Sequence, residues 1–333
     1  MDRKAANPRA GWRLASSGPR RRLATLAFAL VLGAALAGGP PPPARVPPTR
    51  ADVPYGPEPR QVLDFWSAAT TGPAPVVIYL HPGGWIRGDK AEVSHVERYL
   101  AAGISVVAIN YRFVWEARAA GVRPPVRWPL HDAARALQFV RLQAAAWRLD
   151  PDRIGATGDS AGAFAGLWLA LHRDLAEPDS PDPVARQSTR LACVAVSGAQ
   201  TTLDPLLMKQ WMPNSFYGGH AFGIVRTDAF NDMGDPDAFL ARREEILPWI
   251  EEYSPYSLVS ASAPPVYLYY RAAPALGQVQ DDPTHSANFG VKLQEKLRAA
   301  GVECELVYPG APGVRHPQPV DFLIARLAPP PRG

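Results

Sequence analysis

Cysteine is nearly absent: Cys193 and Cys304 are the only two in 333 residues. Their spacing fits no zinc site, and two thiols cannot make a disulfide-stapled scaffold. Both fall in apolar runs of strand length, where a thiol acts as a small buried hydrophobe. Long apolar runs are scarce as well. Leu23 to Leu36, near the N-terminus, falls short of the about 20 residues that a spanning helix needs. A strong charge of one sign is also missing from the bulk of the chain. The net charge is +4, but residues 1–37 carry seven basic residues and one acid, so the remainder is −2. That leaves no electrostatic case for nucleic acid as a partner. No internal repeat is visible.

The N-terminal charge has a different reading. Arg20-Arg21-Arg22 precede the apolar run, and Ala35-Leu36-Ala37 is an A-x-A-like cleavage site. This is a secretory signal pattern over 1–37. It predicts an exported protein, periplasmic or extracellular, with no stable membrane insertion once the signal is cleaved. The alternative is a chain tethered by an uncleaved segment. A proline-rich stretch follows, and 38–54 reads as an extended linker. The folded domain is expected over 55–333.

Within that domain, apolar runs of strand length alternate with amphipathic stretches. Strands are expected at 76–80, 104–109, 153–157, 191–196, 266–270 and 304–308. Helices are expected at 93–102, 130–149, 161–172 and 289–300. Runs without alternation suit strands buried on both faces, so the pattern predicts a doubly wound, mostly parallel α/β sheet flanked by helices. The stretch 199–262 breaks the rhythm. It is rich in aromatics, glycine and proline, and reads either as a lid or pocket wall at the strand C-terminal edge or as a long structural connection. Trp85, Trp211, Phe216, Tyr217 and Trp249 would give it an aromatic lining or a packed core.

Gly158-Asp159-Ser160-Ala161-Gly162 matches G-x-S-x-G between an expected strand and an expected helix. A nucleophilic serine has to sit on a turn sharp enough to expose its hydroxyl, and flanking glycines let neighbouring backbone pass close by. The helix that starts there aims its free amides at a developing oxyanion. A second donor must come from a loop after an earlier strand. "YLHPGGWIRGDK" (79–90) supplies such a loop, with Gly83 and Gly84 as donors beside Ala161. Pro82 has no N–H and cannot serve.

With "INYRF" (109–113), "WPLHDAARALQFVR" (128–141), "DPDRIGATGDSAG" (150–162) and "AGVECELVYPGA" (300–311), these stretches resemble α/β-hydrolase esterases and lipases. The similarity is to the hormone-sensitive-lipase-like and feruloyl-esterase-like group, from Tyr55 onward. The resemblance implies hydrolysis of carboxylic esters, small or polysaccharide-linked, by a serine, an acid and a histidine in that order. It implies no metal or organic cofactor. Aligned to the group, the acid falls at Asp282, with Asp281 as the alternative. The base falls at His316, after the last expected strand. His285 is the rival, set aside because residues so close in a turn rarely face each other as a triad requires. Two other readings stay open: an amidase or exopeptidase using the same triad, and an inactive hydrolase fold used for binding.

Overall fold

The computed structural model describes residues 46–328. The expected signal segment and the first part of the linker lie outside the described residues. The later part of the linker does not behave as one. β1 (Arg50–Pro54) pairs antiparallel with β2 (Val62–Trp66). Trp66 Nε1 donates to the Val46 carbonyl, and Lys90 bridges Asp52 and Asp64 at 2.9 Å each. The folded unit therefore begins ahead of Tyr55. β1 is polar and exposed, whereas β2 (VLDFW) is apolar and buried but short and interrupted by Asp64.

The sheet continues through β3 (Ala74–Leu80), β4 (Ser105–Ile109), β5 (Leu149–Asp159), β6 (Cys193–Ser197), β7 (Val266–Tyr269) and β8 (Cys304–Val307). Its order is β1-β2-β4-β3-β5-β6-β7-β8, and only pairings to β2 are antiparallel. The expected doubly wound, mostly parallel sheet is what forms. Cys193 and Cys304 are free, with β7 between their strands.

The helices are α1 (Val96–Ala101), α2 (Val114–Ala119), α3 (Arg127–Leu142), α4 (Ala144–Trp147), α5 (Ala161–Leu171), α6 (Pro205–Trp211), α7 (Pro236–Ala241), α8 (Arg243–Tyr253), α9 (Ala287–Ala299) and α10 (Pro319–Leu327). Strand side chains alternate between two faces. Val76, Ile78, Leu80, Val194 and Val196 join a core with α3, α5 and α9. Val77, Tyr79, Val106, Cys193 and Tyr267 join a second core with α1 and α10. α5 is buried at every position, as a helix lying between sheet and outer helices must be.

The stretch 199–262 carries α6, α7 and α8 and packs into the first core through Leu203, Trp211, Tyr217, Phe239 and Ile246. Trp211 and Tyr217 are buried packing residues, while Phe216 is half exposed. Among the described residues no helix is long and apolar enough to cross a membrane.

Candidate active site

The serine turn is built by exclusion of side chains. Ser160 adopts φ 51°, ψ −118° between β5 and α5, a conformation L-residues avoid. A Cβ at Gly162 would fall 2.0 Å from the Leu80 carbonyl oxygen, and one at Gly158 would fall 2.6 Å from it. No larger residue fits either position while β3 stays where it is. The Ser160 amide donates to the Ser197 carbonyl at 3.0 Å, tying the turn to the end of β6. Ala161 opens α5, so its N–H has no intrahelical acceptor.

The loop after β3 is a backbone device. Gly83 (φ 113°), Gly84 (φ 63°) and Trp85 (φ 57°) take consecutive positive φ values. A Cβ at Gly83 would meet the Arg87 carbonyl oxygen at 2.2 Å. The Gly83 carbonyl accepts from Ile86 and Arg87 N–H at 3.0 and 3.2 Å. In a planar trans peptide the C=O and N–H point oppositely, so the Gly84 N–H is turned away from that bend.

The quoted motifs are the scaffold of this loop. The His81 ring stacks on Tyr111 with centroids 4.0 Å apart, and Tyr111 Oη donates to the His81 carbonyl at 2.7 Å. Burial pushes the His81 imidazole down to about 4. Asn110 accepts from the Lys90 N–H and donates to Asp89, closing the loop's far end. Arg112 forks onto Asp132 of α3 at 2.9 and 2.7 Å. His220 was not singled out by the sequence. Its Nε2 lies 3.0 Å from the Gly84 carbonyl and its Nδ1 3.0 Å from that of Met233. Burial holds this ring near pKa 4 as well.

The structure corrects which histidine meets the serine. His285, not His316, reaches Ser160: Nε2 lies 2.9 Å from Oγ, and Nδ1 lies 2.7 Å from Asp282 Oδ2. Asp282 Oδ1 accepts the N–H groups of Thr284 and His285, both at 3.2 Å. That side-chain-capped turn brings residues 282 and 285 onto one side, so closeness in sequence does not keep them apart. Asp281 lines the cavity without pairing with the imidazole.

His316 belongs to a different arrangement. Glu305 on β8 accepts from its Nδ1 at 2.8 Å and from the backbone N–H groups of His316 and Arg315. Tyr267 Oη donates to the His316 carbonyl at 2.8 Å, and the ring packs edge-on against Phe322 of α10. Burial alone would raise the Glu305 carboxyl, but the hydrogen bonds from His316 and Arg315 outweigh it and hold it below its usual range. These contacts fold the loop after β8 onto the α1/α10 face, away from the serine.

Ser160 and His285 open into a cavity of about 510 Å³. Ser197, Tyr269, Arg271, Ala272, Ala273 and Val279 are among its lining residues. Burial raises the Asp159 carboxyl beside the serine, partly opposed by a hydrogen bond from Ser197. Among the described residues no group of three or more His, Cys, Asp or Glu side chains gathers as a metal site.

Comparison with known proteins follows this geometry. The BD-FAE family model matches residues 63–273. Esterase LipQ of Mycobacterium tuberculosis is 28% identical over 232 residues, covering 66% of this chain and 48% of LipQ. Carboxylesterase NlhH of the same species is 26% identical over 245 residues, covering 73% and 66%. The chain thus spans about half the length of LipQ. Two solved structures share the fold. A truncated carbohydrate esterase from gut microbiota gives a TM-score of 0.57 at 20% identity, covering 78% of this chain and 86% of its own. The acetyl ester-xyloside bifunctional hydrolase of Caldicellulosiruptor lactoaceticus gives 0.54 at 23%, covering 74% and 76%. With the match running through both the glycine loop and the serine elbow, the chain belongs to the BD-FAE family and carries the α/β-hydrolase fold.

Proposed function

We propose that this protein is an exported carboxylesterase that works through an acyl-enzyme on Ser160. One observation carries the reading: the unbroken relay from Asp282 Oδ2 to His285 Nδ1 (2.7 Å) and from His285 Nε2 to Ser160 Oγ (2.9 Å). With the Nδ1 proton donated to Asp282, Nε2 is left to accept the serine proton. Ser160 Oγ attacks the ester carbonyl while His285 takes that proton. The carbonyl oxygen gains charge and draws on the N–H groups of Gly84 and Ala161, with Gly83 shaping the loop. The imidazolium, steadied by Asp282, returns the proton to the departing alcohol. Water then repeats the sequence in reverse and frees the acid.

The kinship with proteins named esterase LipQ and carboxylesterase NlhH supports ester rather than amide substrates. A cavity of about 510 Å³ suits a small or polymer-linked ester with a compact acyl group. The relay argues against a fold kept only for binding, which has no use for an aligned imidazole. Export rests on the arginine run and the Ala35-Leu36-Ala37 site. The test is fluorophosphonate labelling of the purified chain. Labelling should occur in the parent, vanish in Ser160→Ala, and be severely slowed in His285→Ala. A parent enzyme that neither labels nor hydrolyses simple acyl esters would overturn the reading.

A further inference from the structure

An acid and a base three residues apart create a mechanical problem. The turn at 282–285 locks Asp282 to His285 through one carboxylate, which accepts two backbone N–H groups and the imidazole. The pair therefore moves as one body. Asp282 can fix the ring's tautomer, but it cannot fix the ring's distance from Ser160. The loop is also exposed, with the Asp282 side chain 62% and the His285 side chain 40% accessible. Something outside the pair has to hold it against the serine.

The geometry points to Gln200 as that positioning residue. Its side chain is fully buried, and Nε2 donates to the Thr284 carbonyl at 2.7 Å, the peptide leading directly into His285. The same Nε2 lies 3.3 Å from the Gly198 carbonyl. Among the described residues no protein group donates to its buried Oε1, so the donor side of the amide makes its contacts.

Residues 197–200 grip both halves of the relay. The Ser197 carbonyl accepts the Ser160 N–H. Gly198 (φ 57°) lies under the imidazole, where an added Cβ would sit 3.4 Å from His285 Cδ2. The Gly198 N–H is itself fixed to the Tyr269 carbonyl at 2.8 Å. Gln200 then closes the frame onto Thr284. Asn214 also pairs with this loop, but through the backbone of Gln280, five residues before His285. Buried Asn288 anchors the start of α9 to the Trp211 and Ala275 carbonyls, but Gln200 is the one of these side chains bonded to the peptide that enters His285, and so sets the Nε2–Oγ distance.

This inference rests on the proposed Ser160–His285–Asp282 relay. The test uses Gln200→Met and Gln200→Leu in the full chain, with p-nitrophenyl acetate as probe. Both variants stay close to the volume of glutamine and remove the donor. A catalytic group displaced by about 1 Å costs up to about 10²-fold. The expected result is a kcat lowered about 10- to 10²-fold with KM within about threefold of the parent. Fluorophosphonate labelling of Ser160 should slow in parallel. A purely structural role would lower the melting temperature and leave kcat per folded molecule alone. A kcat within twofold of the parent in either folded variant overturns the assignment, and so does loss of folded protein in both. Ser160→Ala keeps the two ideas separable: if it retains turnover, the relay itself is wrong whatever Gln200 does.

Discussion

Two of the carboxylate–imidazole pairs in this molecule have almost the same hydrogen-bond length. Asp282–His285 spans 2.7 Å and Glu305–His316 spans 2.8 Å. Their surroundings differ. The Glu305 and His316 side chains are 5% and 19% accessible, whereas those of Asp282 and His285 are 62% and 40%. Each carboxylate also accepts two backbone N–H groups of its histidine's loop, but only the His316 carbonyl is held by a tyrosine hydroxyl, that of Tyr267. The free nitrogen of His285 has Ser160 Oγ at 2.9 Å. An acid beside a histidine is therefore not a catalytic signature. What separates the two pairs is the third partner and access to a cavity. One pair closes a loop, and the other leaves a nitrogen facing a hydroxyl.

Exchange of the two histidines should break this comparison most sharply. His285→Ala and Ser160→Ala should each lower kcat for a chromogenic acyl ester by about 10³-fold or more, since relay members act as a unit. His316→Ala should stay within about threefold of the parent per folded molecule. A dead His316 variant beside an active His285 variant would reverse the assignment.

The carboxylates should separate in the same way, with smaller effects. Asp282→Asn keeps the shape of the turn but no longer holds the imidazole tautomer, and should cost about 10²- to 10⁴-fold in kcat. Glu305→Gln should leave kcat per folded molecule unchanged and lower stability by about 1–3 kcal/mol, the scale of hydrogen bonds lost at a charged acceptor. Urea denaturation beside steady-state kinetics reads both. An activity loss in Glu305→Gln without a stability loss would mean that the buried pair shapes the cavity after all.

The serine elbow was legible in the sequence because its chemistry constrains the backbone. Gly158 and Gly162 leave no room for a Cβ, so the motif had to be written in glycine. The loop at Gly83 and Gly84 was legible because positive φ at both, and a backbone oxygen against the first, call for glycine. The base was not. Whether residues 282 and 285 face each other depends on which N–H groups donate to Asp282 Oδ1, and no residue type announces that. The expected base instead followed the last strand, where Glu305, unremarkable in sequence, had already engaged it. His220 and Gln200 act through carbonyls 136 and 84 residues away, so only the folded chain reveals them. The family match ends at residue 273, before Asp282 and His285, so the departure lies where similarity to the family also stops. Among the strands, β1 was missed because Arg50–Pro54 is mostly exposed and sits in a proline-rich stretch.

The mildest effect on activity is expected of histidines that belong to neither pair. Burial pushes His81, His131 and His220 down to about 4 in the folded protein. In the unfolded chain a histidine titrates near 6.5. Between those values the unfolded state holds the proton and the folded state does not, so stability rises with pH across the window. It is fully present above about 6.5 and is lost progressively as pH falls toward 4. Each pKa unit corresponds to about 1.4 kcal/mol, so each ring contributes a few kcal/mol across the window. Three rings acting together should lower the melting temperature steadily between pH 7 and pH 5. His220→Gln should flatten part of that slope, because a neutral amide can donate to the Gly84 carbonyl without titrating. The measurement is the thermal midpoint against pH for the parent and this variant, with kcat recorded on protein that is still folded. If the variant shows the parent's full slope, His220 is not neutral by burial, and the loop carrying Gly83 and Gly84 is held by a charged ring instead.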